Sequence, residues 1–284
     1  MKNDLIIVLS VLVLILSGCF PEVKESPTKG YLKCCTDESF YNVVNDAKVK
    51  FLELYPEAKI DISSIKAREG IAAILNGDIR MFVSSRNFNK EEVEFVRKTK
   101  SEVKIFKFCY DGIAVIEREN EKIDRMQTNE LKELLLGIKN NYKIFIPEAN
   151  SGVYEYLKTE LLDGKEPVKV FITKSENDVV EKVKQTKNSI GIVGLGVLKN
   201  SSGIDLIEIA DSDRIINGIK YYEPLAGYLV NGDYPLVRTS YIIINEIGLH
   251  VASGFTSFLT SYDGQKIVLE NNLGPATVPV KIVQ

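Results

Sequence analysis

Four stretches of this chain place small, hydroxyl-bearing or charged residues where a helix would begin. They are Thr36-Asp37-Glu38-Ser39, Ala67-Arg68-Glu69-Gly70, Ser84-Ser85-Arg86 and Asn150-Ser151-Gly152. Such starts offer anion binding, because the first N–H groups of a helix lack partners and its dipole places about half a positive charge there. The plain alternative for each is an N-cap, worth about 1 kcal/mol to its own helix. Catalytic chemistry is poorly represented. The one histidine, His250, lies between apolar residues on a helical pattern and reads as structural. That count argues against a His-based triad or a multi-His metal site. Ser151 has no base in view, which weakens a serine hydrolase. Gly191-Ile192-Val193-Gly194-Leu195-Gly196 has the wrong order for a dinucleotide fingerprint and reads as a close-packed strand and turn. The expectation is a binding protein, not an enzyme, with no cofactor and no metal.

The elements that would position these starts alternate along the chain. The spacing predicts a strand over 31–35, a helix over 40–55 stopped by Pro56, a strand over 59–65, a short helix over 70–75 and a strand over 79–83. A charged, exposed helix over 90–98 and strands over 103–109 and 113–116, around Asp111-Gly112, complete a first block. A second block reads as a helix over 129–136, a strand over 142–146, a helix from Asn150-Ser151-Gly152 through Leu162, a strand over 168–172, a helix over 178–186 and a buried strand over 190–195. Helices over 247–259 and 264–270 close the chain. This βαβ logic gives an α/β class with open sheets, in which ligands bind at the carboxyl ends of strands. The chain has 284 residues, 45% hydrophobic and 26% charged, enough for one large or two ordinary domains with a real core. Thirty-six Lys and Arg against 39 Asp and Glu, a formal charge of -3, give no basic surplus for a nucleic-acid partner.

The N-terminus carries an address. Lys2 precedes an apolar run from Leu5 to Leu16, broken by Ser10. The run is shorter than the roughly 20 residues that span a bilayer and suits a signal-peptide core. It ends in Leu16-Ser17-Gly18-Cys19, which resembles a bacterial lipobox. That resemblance implies cleavage after residue 18 and acylation of Cys19, tethering the mature chain to a cell membrane on the periplasmic or exterior side. The plain alternative is an uncleaved anchor or core strand with an incidental cysteine. Residues 19–29 read as a flexible tether. Cys34 or Cys35 could pair with Cys109, or all three could be buried thiols; the sequence leaves both open.

Five segments in order carry a wider resemblance: Gly70-Ile71-Ala72-Ala73-Ile74-Leu75-Asn76-Gly77, Asp111-Gly112-Ile113-Ala114-Val115-Ile116, Asn150-Ser151-Gly152-Val153-Tyr154-Glu155-Tyr156, Gly191-Ile192-Val193-Gly194-Leu195-Gly196 and Gly264-Gln265-Lys266-Ile267-Val268. Over about residues 31–279 the chain resembles the phosphate-binding solute receptors of bacterial ABC phosphate importers, a branch of the type II periplasmic binding proteins. The resemblance implies two lobes, each a mixed sheet flanked by helices. Lobe 1 would comprise 30–113 and 232–284, lobe 2 would comprise 114–231, and the hinge would lie near Ile113 and Asn231. It also implies a monomer that holds phosphate or a related small oxyanion in the cleft and delivers it to ABC permease subunits. Ser39 and Phe40 fall on the family's first-loop donors, and Ser151 and Gly152 on its second-lobe helix start. Ala67 stands where a Ser is usual, beside Arg68. Arg80 falls on the acidic acceptor, Pro147 on the bidentate Arg, and Val153 on a Thr. With Arg80 in place of an acid, the site is expected to be more positive by about one charge and to prefer anions lacking a donatable proton. The rival is a receptor fold kept for sensing or protein contact, with no solute delivery.

Overall fold

The computed structural model describes residues 25–277, apart from Lys122, Asn140 and residues 215–217. The expected signal segment 1–18 and the expected lipidation site Cys19 lie outside the described residues. The strands in chain order are β1 (Gly30–Thr36), β2 (Ala58–Ser64), β3 (Met81–Ser84), β4 (Val103–Arg118), β5 (Arg125–Gln127), β6 (Lys143–Pro147), β7 (Phe171–Thr173), β8 (Ser189–Gly194), β9 (Ile204–Leu206), β10 (Glu208–Ala210), β11 (Val237–Asn245) and β12 (Gly274–Pro275). A 10-stranded mixed sheet follows the path β2-β1-β3-β11-β4-β8-β6-β7, with β9 and β12 also on β4, while β5 and β10 pair separately. The fold is that of the type II periplasmic binding proteins.

Strand β4 joins two half-sheets. Its residues 103–112 pair with β11, and its residues 113–117 pair with β8. The chain returns beside this crossing, where the Ile113 N–H donates to the Leu236 carbonyl at 2.7 Å. The sequence suggests two strands interrupted at Asp111-Gly112, yet β4 runs unbroken. Gly112 serves close approach rather than a turn: a Cβ there would lie 2.7 Å from Pro224 Cβ.

Apolar periodicity explains the helices. Helix Tyr41–Leu54 buries Val43, Val44, Ala47 and Phe51, and Phe51 packs edge-on against Phe255 and Phe258. Helix Lys90–Thr99 buries nothing and is held by an Asn89–Glu92 capping box. The helix ending at Leu259 begins at Val251 rather than 247, because Gly248 takes a left-handed φ of 87° and the Glu246 carboxylate accepts the N–H groups of His250, Ala252 and Ser253. Residues 25–29 depart from the expected loose tether. Glu25 pairs with Arg80 at 2.6 Å, and Gly254 lacks a Cβ that would meet the Pro27 carbonyl at 1.9 Å. Cys34, Cys35 and Cys109 are free and buried; burial pushes the Cys34 and Cys109 thiols up, so they act as small apolar residues. Among the described residues no helix is long and apolar enough to cross a membrane.

Candidate functional site

The carboxyl ends of β1 and β3 face the starts of helices Gly152–Tyr156 and Glu176–Gln185 across the boundary between the half-sheets. Ser39, beyond β1, donates from Oγ to Glu176 Oε1 at 2.7 Å and accepts from Arg238 Nη2. The other Glu176 oxygen accepts the Gly194 N–H at 2.6 Å, and the Glu176 N–H donates to Glu38. Ser85, beyond β3, donates to Asp37 Oδ2 at 2.6 Å. Glycines let the halves touch. A Cβ on Gly152 would lie 1.9 Å from Ser85 Oγ, one on Gly194 would lie 2.3 Å from Ser39 Oγ, and one on Gly196 would lie 1.9 Å from the Ser39 carbonyl. The glycines of 191–196 thus serve close packing, as their order suggests.

Arg238 is the cation of this junction. It sits on β11 directly opposite Asp111 on β4. Its Nε and Nη2 donate to Asp111 Oδ2 at 2.9 and 2.7 Å, while Asp111 Oδ1 accepts the Leu195 N–H. The guanidinium lies 5.5 Å from the Phe40 ring centroid, a cation–π contact. Arg238 is only 6% exposed, and its Nη1 has no hydrogen-bond partner. A buried donor left unpaired is costly and marks a place where a ligand could be received.

Burial sets the protonation of the cluster. Burial pushes the Glu176 carboxyl up to about 8, with Asp37 adding to the rise and Arg238 opposing it. Burial also raises Asp111 against the pull of Arg238. Burial opposes the charge on Arg238, but Asp111, Asp37 and Glu176 outweigh it and lift its pKa. Beside the cluster opens a cleft of about 850 Å³, lined by Arg68, Ser85, Arg86, Gly152, Tyr156 and Arg238 among others. At its rim Arg68 and Arg86 both pair with Glu155 from the other half, at 3.2 and 2.6 Å.

The residues singled out from sequence fare unequally. Ser39 and Gly152 lie buried at the junction. Ser151 is buried beside them, but its Oγ accepts the Tyr154 N–H as a helix cap. The Phe40 N–H is used by the Asp37 carbonyl, and its ring, not its backbone, meets Arg238. Arg68 lines the cleft. Arg80 does not. It lies just before β3, at the strand end opposite Ser84, about 13 Å away at 3.3 Å per residue, and it pairs with Glu25 and with buried Glu246. The expectation of an extra positive charge from Arg80 is therefore wrong. Asp37, Asp111 and Glu176 surround a single buried guanidinium, so the junction is richer in acceptors than expected. Asp37 and Ser85 belong to starts the sequence displays; Arg238, Asp111 and Glu176 do not. Arg238 has one signal, as the single charge in Val237–Asn245; Asp111 shares Val103–Arg118 with Lys104, Lys107, Glu117 and Arg118, and Glu176 opens a charged helix, so neither stands out.

Two half-sheets joined at paired crossings bring helix starts and a buried cation together beside an open cleft. The model of the PBP superfamily domain matches residues 21–262, and the chain belongs to that superfamily. It is 26% identical over 258 residues to the phosphate-binding protein PstS of Borreliella burgdorferi, covering 80% of this chain and 84% of the relative. It is 22% identical to the protein SphX of Synechococcus elongatus, covering 96% and 85%. Among solved structures it is similar to a substrate-binding protein from Clostridium perfringens, assigned to phosphate ABC transport and holding phosphate. That match has a TM-score of 0.74 at 19% identity and covers 87% of this chain and 100% of the other.

Proposed function

We propose that this protein is a lipid-anchored extracytoplasmic receptor of an ABC importer that binds phosphate, or a closely related protonated oxyanion, between two lobes. The lobes are 30–113 with 232–284, and 114–231, and the paired crossings at Ile113 and Leu236 serve as the hinge. Cys19 carries the lipid, and a permease reads the closed form. The named relatives support this reading, and one observation carries it: Arg238, beside Ser85 and Gly152 in the lining of the cleft, keeps a buried N–H with no partner. The surrounding carboxylates choose among anions. An ion with no proton meets Asp37 and Asp111 with nothing to offer them. A phosphate that keeps a proton at neutral pH donates it to one of them. Solute shifts the lobes only by its differential affinity for the closed form.

Titration of the mature chain with phosphate, arsenate, sulfate and molybdate tests this. Phosphate and arsenate are expected to bind one per chain, with sulfate and molybdate far weaker. Equal binding of sulfate would overturn the acceptor argument. Binding of none would favour a receptor fold used for protein contact, a reading to which one feature lends weight: the Ser39 hydroxyl is already occupied by the protein's own Glu176.

A further inference from the structure

We propose that Glu176 is an internal competitor for the solute, a carboxylate from the second lobe that takes up the first lobe's hydroxyl donor when no oxyanion is bound. This inference rests on the receptor reading and adds to it the residue that sets the threshold for binding.

The donor inventory carries it. A serine hydroxyl has one hydrogen. Ser39 gives that hydrogen to Glu176 Oε1 and receives Arg238 Nη2 on its oxygen. It can donate to an incoming anion only after Glu176 has left. The Gly194 N–H, a donor aimed into the junction from the second half, is likewise taken by Glu176 Oε2. One carboxyl group thus bridges Ser39 of one half and Gly194 of the other, as a two-oxygen face of a tetrahedral oxyanion would. It is wholly buried and is not in contact with a neutralising Lys or Arg: Arg238 reaches it only through Ser39. The bridge ties the halves together from within, so closure does not require solute. Binding then becomes an exchange of one acidic group for another, and affinity is reduced by what Glu176 gains in its place.

The test uses Glu176→Ala and Glu176→Gln in the mature full chain. Phosphate affinity is read by calorimetry, the solute-free radius of gyration by small-angle scattering, and the fold by circular dichroism. Releasing donors that serve a neutral acid is worth about two- to tenfold. Glu176→Ala is expected to bind phosphate tighter by that factor and to expand without solute, with Glu176→Gln, which resembles the protonated acid, close to wild type. Unchanged or weaker phosphate binding in both variants, with folded spectra and an unchanged radius, would overturn the proposal. If no variant binds phosphate but Glu176→Ala still expands, the internal bridge stands and the phosphate reading falls. If no variant binds and none expands, both fall.

Discussion

Replacing Glu176 with Gln should change how stability depends on pH, and the structure sets the size of the change. The Glu176 carboxyl is held at about 8 against an ordinary 4.5. The folded form therefore keeps a proton that the unfolded chain has lost. Stability from this group is fully present below pH 4.5 and is lost as pH rises to about 8. Each pH unit in that window costs about 1.4 kcal/mol, so the total approaches roughly 5 kcal/mol as an upper bound. The groups facing it are Asp37 and Glu38 before the first helix, Arg238 on β11 and Asp111 on β4. None of them changes in the variant. Gln resembles the protonated acid but weakens one hydrogen bond, for about 1 kcal/mol. Urea unfolding from pH 5 to pH 9 should show the variant slightly less stable than wild type at pH 5 and clearly more stable at pH 8. Parallel profiles for the two proteins would refute the reasoning.

Other expectations follow from the same contacts. Arg238→Ala leaves the Asp111 carboxylate buried with only the Leu195 N–H, which should cost about 3–5 kcal/mol in denaturant unfolding. The double change Arg238→Met with Asp111→Leu should recover most of that, and a double variant as unstable as the single one would contradict it. Gly152→Ala drives a methyl toward Ser85 and Asp37, so it should hold the halves apart and weaken phosphate binding at least about tenfold, from a packing cost of about 1–3 kcal/mol; wild-type affinity would count against the closed junction. Arg80→Ala should leave phosphate affinity within about twofold, since a residue outside the cleft contributes little, while making residues 25–29 easier to cleave by protease. A large loss of phosphate affinity would return Arg80 to the site.

The first half of the fold is legible in the sequence because each element there is marked locally. Helix Tyr41–Leu54 announces its buried stripe, and Pro56 its end. Ser39 and Gly152 are legible for the same reason: each opens a helix directly after a strand. Arg238 and Glu176 are not, because what makes them matter is distant. Arg238 meets Asp111 across 127 positions and Ser39 across 199, and Glu176 meets Ser39 across 137. Only the register of β11 on β4 and the contact between half-sheets create those neighbours. Order along the chain alone puts Arg80 on the family's acidic position. Strand polarity corrects it, since Ser84-Ser85-Arg86 follows the carboxyl end of β3 and Arg80 precedes its start. The split of the 16-residue β4 failed on Gly112, whose glycine answers a crowded neighbour and not a turn.

The most direct measurement is a crystal structure of the mature chain grown with arsenate, located by its anomalous scattering. The expected peak lies between the half-sheets, within hydrogen-bond reach of Arg238 Nη1 and the Gly152 end of its helix, with Glu176 withdrawn from Ser39. An arsenate bound elsewhere, or a junction still bridged by Glu176 at saturating arsenate, would contradict it.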